Sequence, residues 1–123
     1  MEYRTEIKET SKQFTAKERI QLKDTTNAVK IDEATKDGKL IINPEAYVIL
    51  SIHNEKSDNV DYEVFVILDK NGTKYVTGSQ SFFTSFKEIW DEMEGENEEW
   101  AIEAYKVDSK NYKGKQFITC SIV

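Results

Sequence analysis

From residue 47 onward the chain runs in short apolar or alternating stretches separated by turn residues. Residues 47–54 (YVILSIHN) are rich in β-branched and aromatic types and end in the polar segment EKSDN, which predicts a strand and a loop. Residues 61–68 (DYEVFVIL) predict a second strand. Residues 69–72 (DKNG) predict a tight hairpin, because Asn-Gly tolerates the positive φ that such turns need. Residues 74–77 (KYVT) are the returning strand.

The period then changes from two to about 3.6. Phe82, Phe86, Ile89, Trp90 and Met93 share one helical face within residues 80–94, with Ser79 and Ser81 as candidate N-caps and Gly95 as a stop. Residues 100–107 (WAIEAYKV) return to strand character, 108–115 (DSKNYKGK) form a loop, and 116–123 (QFITCSIV) make the last strand. The order is three strands, a helix, then two strands. It predicts a mainly β fold: a five-stranded OB-like barrel over 46–123, with one helix between its third and fourth strands. The competing architecture is an α+β sheet with the helix packed on one side.

Residues 1–45 are more polar and weakly patterned. Residues 16–22 (AKERIQL) alternate briefly and read as an edge strand, 27–34 (NAVKIDEA) as a short strand or helical turn, and 37–42 (DGKLII) as a turn and a strand. Asn43-Pro44 breaks whatever precedes it. This part is an amino-terminal extension, either adding strands or forming an arm.

Alternation sorts the predicted strands into two faces. Val48, Leu50, Ile52, Val64, Val66, Leu68, Val76, Trp100, Ile102, Ala104, Ile118, Cys120 and Ile122 form the expected core. The opposite face gathers Tyr47, Ser51, His53, Phe65, Tyr75, Thr77, Tyr105, Lys115, Phe117 and Thr119, a mixture of aromatics, hydroxyls and lysine. Tyr62 starts its strand and can turn either way. Aromatics on a solvent face invite a partner. Single-stranded nucleic acid fits, since bases stack on rings while lysines follow phosphates. The candidate contacts are Tyr47, Phe65, Lys74, Tyr75, Thr77, Tyr105, Lys110, Tyr112, Lys113, Lys115 and Phe117. Tyr112 sits between Lys110 and Lys113 in the last loop, which borders the ligand groove in an OB barrel. The opposing interpretation is that the extension covers the aromatics and the lysines only solvate loops.

Charge complicates this picture. The net charge is -6, which argues against nonspecific duplex binding. It is unevenly spread. Residues 1–45 carry nine basic and nine acidic side chains, 91–99 (DEMEGENEE) hold six acids, and 104–123 hold four lysines and one acid. The acidic run lacks the ligand pattern of an EF-hand loop. It does open a different function, an acidic DNA mimic that inhibits a host nuclease or another DNA-binding protein. A third possibility is an adaptor that uses the aromatic face on another protein.

Catalysis has little support in the sequence. There is one histidine, His53, which excludes histidine-rich metal sites, and no Walker-type phosphate loop or G-x-S-x-G elbow. The single cysteine, Cys120, falls on the apolar set and excludes an internal disulfide. The expectation is therefore a non-enzyme with no cofactor and no metal. No apolar run approaches the ~20 residues of a membrane helix, and the start MEYRTEIKET lacks a secretory h-region, so a cytoplasmic protein is expected.

Residues 73–89 (TKYVTGSQSFFTSFKEI) resemble the strand-to-helix segment of small phage and prophage single-stranded DNA-binding proteins. Residues 112–120 (YKGKQFITC) resemble their closing strand. The resemblance implies an OB fold that coats single strands in replication or recombination, in the host cytoplasm. It also implies contact roles for Tyr75, Thr77 and Phe117, and replication or recombination proteins as further partners. Self-association is left open. The chain departs from the better-known bacterial binders in lacking a long Gly/Pro-rich tail with an acidic end.

Overall fold

The computed structural model describes residues 2–111 and 113–123. Along them lie β1 (Tyr3–Thr10), α1 (Ala16–Lys23), β2 (Val29–Lys30), α2 (Ile31–Ala34), β3 (Leu40–Ile42), β4 (Pro44–Asn54), β5 (Asp61–Asp69), β6 (Lys74–Thr77), α3 (Gln80–Met93), β7 (Ile102–Asp108) and β8 (Gln116–Ile122). Strand exceeds helix by 42% to 21%, so the fold is mainly β as expected. The strands form two sheets, ordered β1-β4-β5-β6-β2 and β3-β7-β8, and neither is closed. Closing a barrel would require the outer edges of β4, β6 and β7 to find partners among the five expected strands. Those edges are occupied by β1, β2 and β3 instead, all from the amino-terminal extension, where a strand was expected in 37–42 and a short strand or helical turn in 27–34. No helix among the described residues is long and apolar enough to cross a membrane.

The chain divides into two compact units, each drawing on both sides of the Asn43-Pro44 break. One takes in the chain up to Val29 together with Glu45–Gly78; the other is Lys30–Pro44 with Ser79–Val123. In the first unit, the alternating Val48, Leu50 and Ile52 of β4 meet Val66 of β5 and Val76 of β6, with Phe14 and Leu22 closing over them. Leu22 belongs to α1, a helix where an edge strand was expected. Its start is fixed by a capping box: the Glu18 amide donates to the Thr15 hydroxyl and the Thr15 amide donates to Glu18 Oε1. The β5–β6 hairpin turns on Gly72 at φ +93°, with Asp69 Oδ1 accepting from the Asn71 amide at 2.9 Å.

In the second unit, β7 pairs with β3 on one side and β8 on the other. Ile42, Ile102, Ala104, Ile118 and Cys120 are buried on one face of this sheet. Helix α3 begins at Ser79, whose hydroxyl accepts from the Phe82 amide, and is followed by Gly95 at φ +86°. Phe82, Phe86 and Trp90 run along one side with successive centroids 6.1 and 5.9 Å apart. Ser81 and Ser85, one turn apart, reach β8: Ser81 donates to the Ile118 carbonyl at 2.9 Å, and Ser85 shares a hydrogen bond with Thr119 at 2.9 Å.

Candidate nucleic-acid interface

Five of the sequence-predicted contact residues lie in the first unit, and burial removes three of them from solvent. Tyr47 is 5% exposed, Phe65 2% and Thr77 3%. Phe65 stands opposite Thr77 in the β5–β6 ladder, and the Tyr47 hydroxyl donates to Glu9 Oε2 at 2.8 Å. The cause is legible in β4, where residues 46–50 are all buried although they alternate between faces. Both faces of this central strand are covered over that stretch, so Tyr47 lies on a second interior surface, while Ser51 of the same set is exposed. A buried ring offers no face to a base.

The other two serve the first unit itself. Lys74 Nζ donates to the Gln21 and Asp24 carbonyls at 2.7 and 2.6 Å. These carbonyls sit at the carboxyl end of α1, where a cation offsets the helix dipole. Tyr75 is half-buried opposite Ile67. Burial, and after it the charge of Asp69, raises its phenol above the ordinary tyrosine value.

The remaining predicted residues belong to the second unit. In the β7–β8 register Tyr105 opposes Thr119 and Val107 opposes Phe117, so Tyr105 and Phe117 share one face of the sheet as diagonal neighbours. Ile41 of β3, opposite Glu103, continues that face. Phe117 is 41% exposed and Ile41 48%, while Tyr105 is half-buried. The Tyr105 ring is held on two sides. Its hydroxyl shares a 2.6 Å hydrogen bond with Ser121, and Lys39 Nζ lies 5.4 Å above the ring centroid while pairing with Glu103 at 3.1 Å. At Thr119 the face meets Ser85 of α3.

Lys110, Lys113 and Lys115 are exposed in the loop that joins β7 to β8. The loop is closed at its neck by the Ser109 amide donating to the Lys115 carbonyl at 2.9 Å, and it turns through Gly114 at φ +80°. Tyr112, the predicted aromatic between two lysines, lies outside the described residues. Tyr105, Phe117 and three lysines are thus gathered on one small sheet and its loop. Lys39, Ile41 and Val107 join them without having been singled out. The β3–β7 ladder brings Lys39 to a partner 64 residues away, and no local pattern reveals that pairing.

The acidic run 91–99 is exposed apart from the half-buried Met93. Two of its acids are engaged within or beside the helix: Lys87 pairs with Asp91 at 2.6 Å, and Trp90 Nε1 donates to Glu94 Oε2 at 2.7 Å. Cys120 is buried, and burial pushes its thiol up to about 12. It stays protonated at neutral pH and lacks the character of a nucleophile. No family model, curated protein or solved structure matches the chain.

Proposed function

We propose that this chain is a non-enzymatic single-stranded DNA-binding protein, acting in phage replication or recombination within the host cytoplasm. The bases stack on the open face of the β3-β7-β8 sheet, and the lysines of the β7–β8 loop follow the phosphates. The observation that carries this reading is Phe117, a ring 41% exposed on a strand that begins beside a loop bearing three lysines. A ring open to water beside a basic loop offers a stacking surface, and each stacked base is worth about 1–3 kcal/mol. Tyr105 adds a second ring already fixed in orientation by Ser121 and Lys39. The order β4, β5, β6, α3, β7, β8 is also the element order of an OB chain, the module that commonly performs this task, although the sheets here are open. The resemblance of residues 73–89 and 112–120 to phage binders points the same way, and partner proteins of replication or recombination rest on it alone.

The test is anisotropy of a labelled, unstructured oligonucleotide at low and moderate salt, with the wild type and with Phe117→Ala. The proposal expects binding that weakens with salt and drops in the variant. Absence of binding at low salt overturns it. The exposed acids Glu92, Glu94, Glu96, Glu98 and Glu99 favour a second reading in that event, a DNA mimic that occupies the site of a basic DNA-binding protein. Such a protein would bind a cationic partner and no oligonucleotide.

A further inference from the structure

Beyond Tyr3, the β1–β4 ladder continues by one position. The Glu55 amide donates to the Glu2 carbonyl at 3.1 Å, and the Glu2 amide donates to Glu55 Oε2 at 2.8 Å. The register Tyr3↔Asn54 and Arg4↔His53 then sets Glu2 opposite Glu55, on the face that also carries His53. Two carboxylates directly opposite across a ladder destabilise it unless a cation lies between them. Arg4 Nε pairs with Glu2 Oε1 at 2.7 Å, and His53 Nε2 lies 3.7 Å from Glu55 Oε2. One ligand atom each from Glu2, His53 and Glu55 falls within 4.8 Å of the others.

The second observation concerns the imidazole. Asp61 Oδ1 stands 2.8 Å from His53 Nδ1. A proton on Nδ1, donated to that carboxylate, would leave the Nε2 lone pair on the side of Glu55. This is the carboxylate–histidine arrangement that orients metal-binding imidazoles. A cluster of acids alone would attract any cation loosely, but an oriented nitrogen selects for a transition ion over Mg²⁺ or Ca²⁺.

We propose that Glu2, His53 and Glu55 form a Zn²⁺ site on the first unit, with Asp61 as the positioning residue for the imidazole. Three protein ligands leave a fourth position for water, and bond lengths of roughly 2.0–2.2 Å require the three side chains to close slightly on the ion. Arg4 must release Glu2 as the ion enters. The bound ion ties the start of β1 to the end of β4.

Because the chain has a single histidine, imidazole proton signals in an NMR spectrum report on His53 alone. The untagged full chain is titrated with ZnCl₂ and, separately, with MgCl₂, and affinity is measured by calorimetry. The proposal expects one Zn²⁺ per chain, shifted or broadened His53 signals, and no comparable response to Mg²⁺. Asp61→Asn should weaken Zn²⁺ binding about 10–100-fold. Glu55→Gln should weaken it at least as much, and Glu2→Gln stands in if Glu55→Gln fails to fold by circular dichroism. Unmoved His53 signals at excess Zn²⁺ would overturn the proposal. So would an equal response to Mg²⁺, or unchanged affinity in folded glutamate variants.

Discussion

Phe117 and Phe65 are the same residue type on alternating strands, yet one ring is 41% exposed and the other 2%. That difference separates recognition from packing. Removing the Phe117 ring should cost oligonucleotide affinity by about 5- to 150-fold, the equivalent of one stacked base, with little change in thermal midpoint. Removing the buried Phe65 ring should instead cost about 3–5 kcal/mol of stability, read from urea unfolding. Cys120 gives a further residue-scale outcome. Its thiol is raised to about 12 by burial, against an ordinary value of 9.0. The folded chain therefore holds this proton more tightly than the unfolded chain. The stabilisation is complete below about pH 9 and is lost as pH rises toward 12. Alkylation at pH 8 should be slow in the folded protein and fast in urea. Equal rates would contradict the burial.

At the scale of elements, α1 shows where patterning misleads. Ile20 and Leu22 alternate and suggested a strand, but only Leu22 is buried and Ile20 is 70% exposed. The informative signal was the local Thr15-x-x-Glu18 box, which satisfies orphan amides and so fixes a helix start. Thr15→Ala should lower stability by about 0.5–2 kcal/mol in chemical unfolding. Glu18 accepts from the Thr15 backbone and hydroxyl region, which holds its carboxyl below the ordinary glutamate value. Its contribution is present above that ordinary value and disappears as pH falls through the lowered one. The other end of α1 rests on Lys74, so Lys74→Met should lower the thermal midpoint while leaving oligonucleotide affinity intact. A loss of affinity without loss of stability would return Lys74 to the interface. In contrast, α3 was legible from its apolar stripe, because Phe82, Phe86 and Trp90 repeat at helical spacing over about two turns.

At the scale of the whole molecule, the strands from β4 onward were legible, and so was the β5–β6 hairpin that the Asn-Gly turn closes, but the long-range partners were not. Turn chemistry and alternation mark where a strand lies; they are silent on which distant edge it meets. Short β2 and β3, of two and three residues, could be read locally as extended segments, but nothing in so few residues shows that they occupy the edges that barrel closure would need. For the same reason the predicted aromatic face was only partly legible. Tyr105 and Phe117 stay on one sheet, whereas Tyr47, Phe65 and Thr77 sit on an interior surface whose hydroxyls looked solvent-facing. What survives is a small local cationic patch on a chain of net charge -6. The proposed binding would then depend on a few phosphate contacts close to the rings. If Lys110, Lys113 and Lys115 each neutralise one phosphate, log affinity against log salt should fall with a slope of about -2, since single strands give roughly -0.7 per contact. Replacing the three lysines by Gln should flatten the slope and leave a residual stacking component that Phe117→Ala removes. The acids of 91–99 belong to the same unit, and those within a screening length of about 10 Å at 0.1 M salt would oppose the same phosphates. Changing Glu94, Glu96 and Glu98 to Gln should therefore strengthen oligonucleotide binding at low salt and leave it unchanged at high salt. A DNA mimic would behave in the opposite sense: the same three substitutions would abolish its binding to a cationic partner. One triple variant thus separates a protein that tolerates its acids from a protein that works through them.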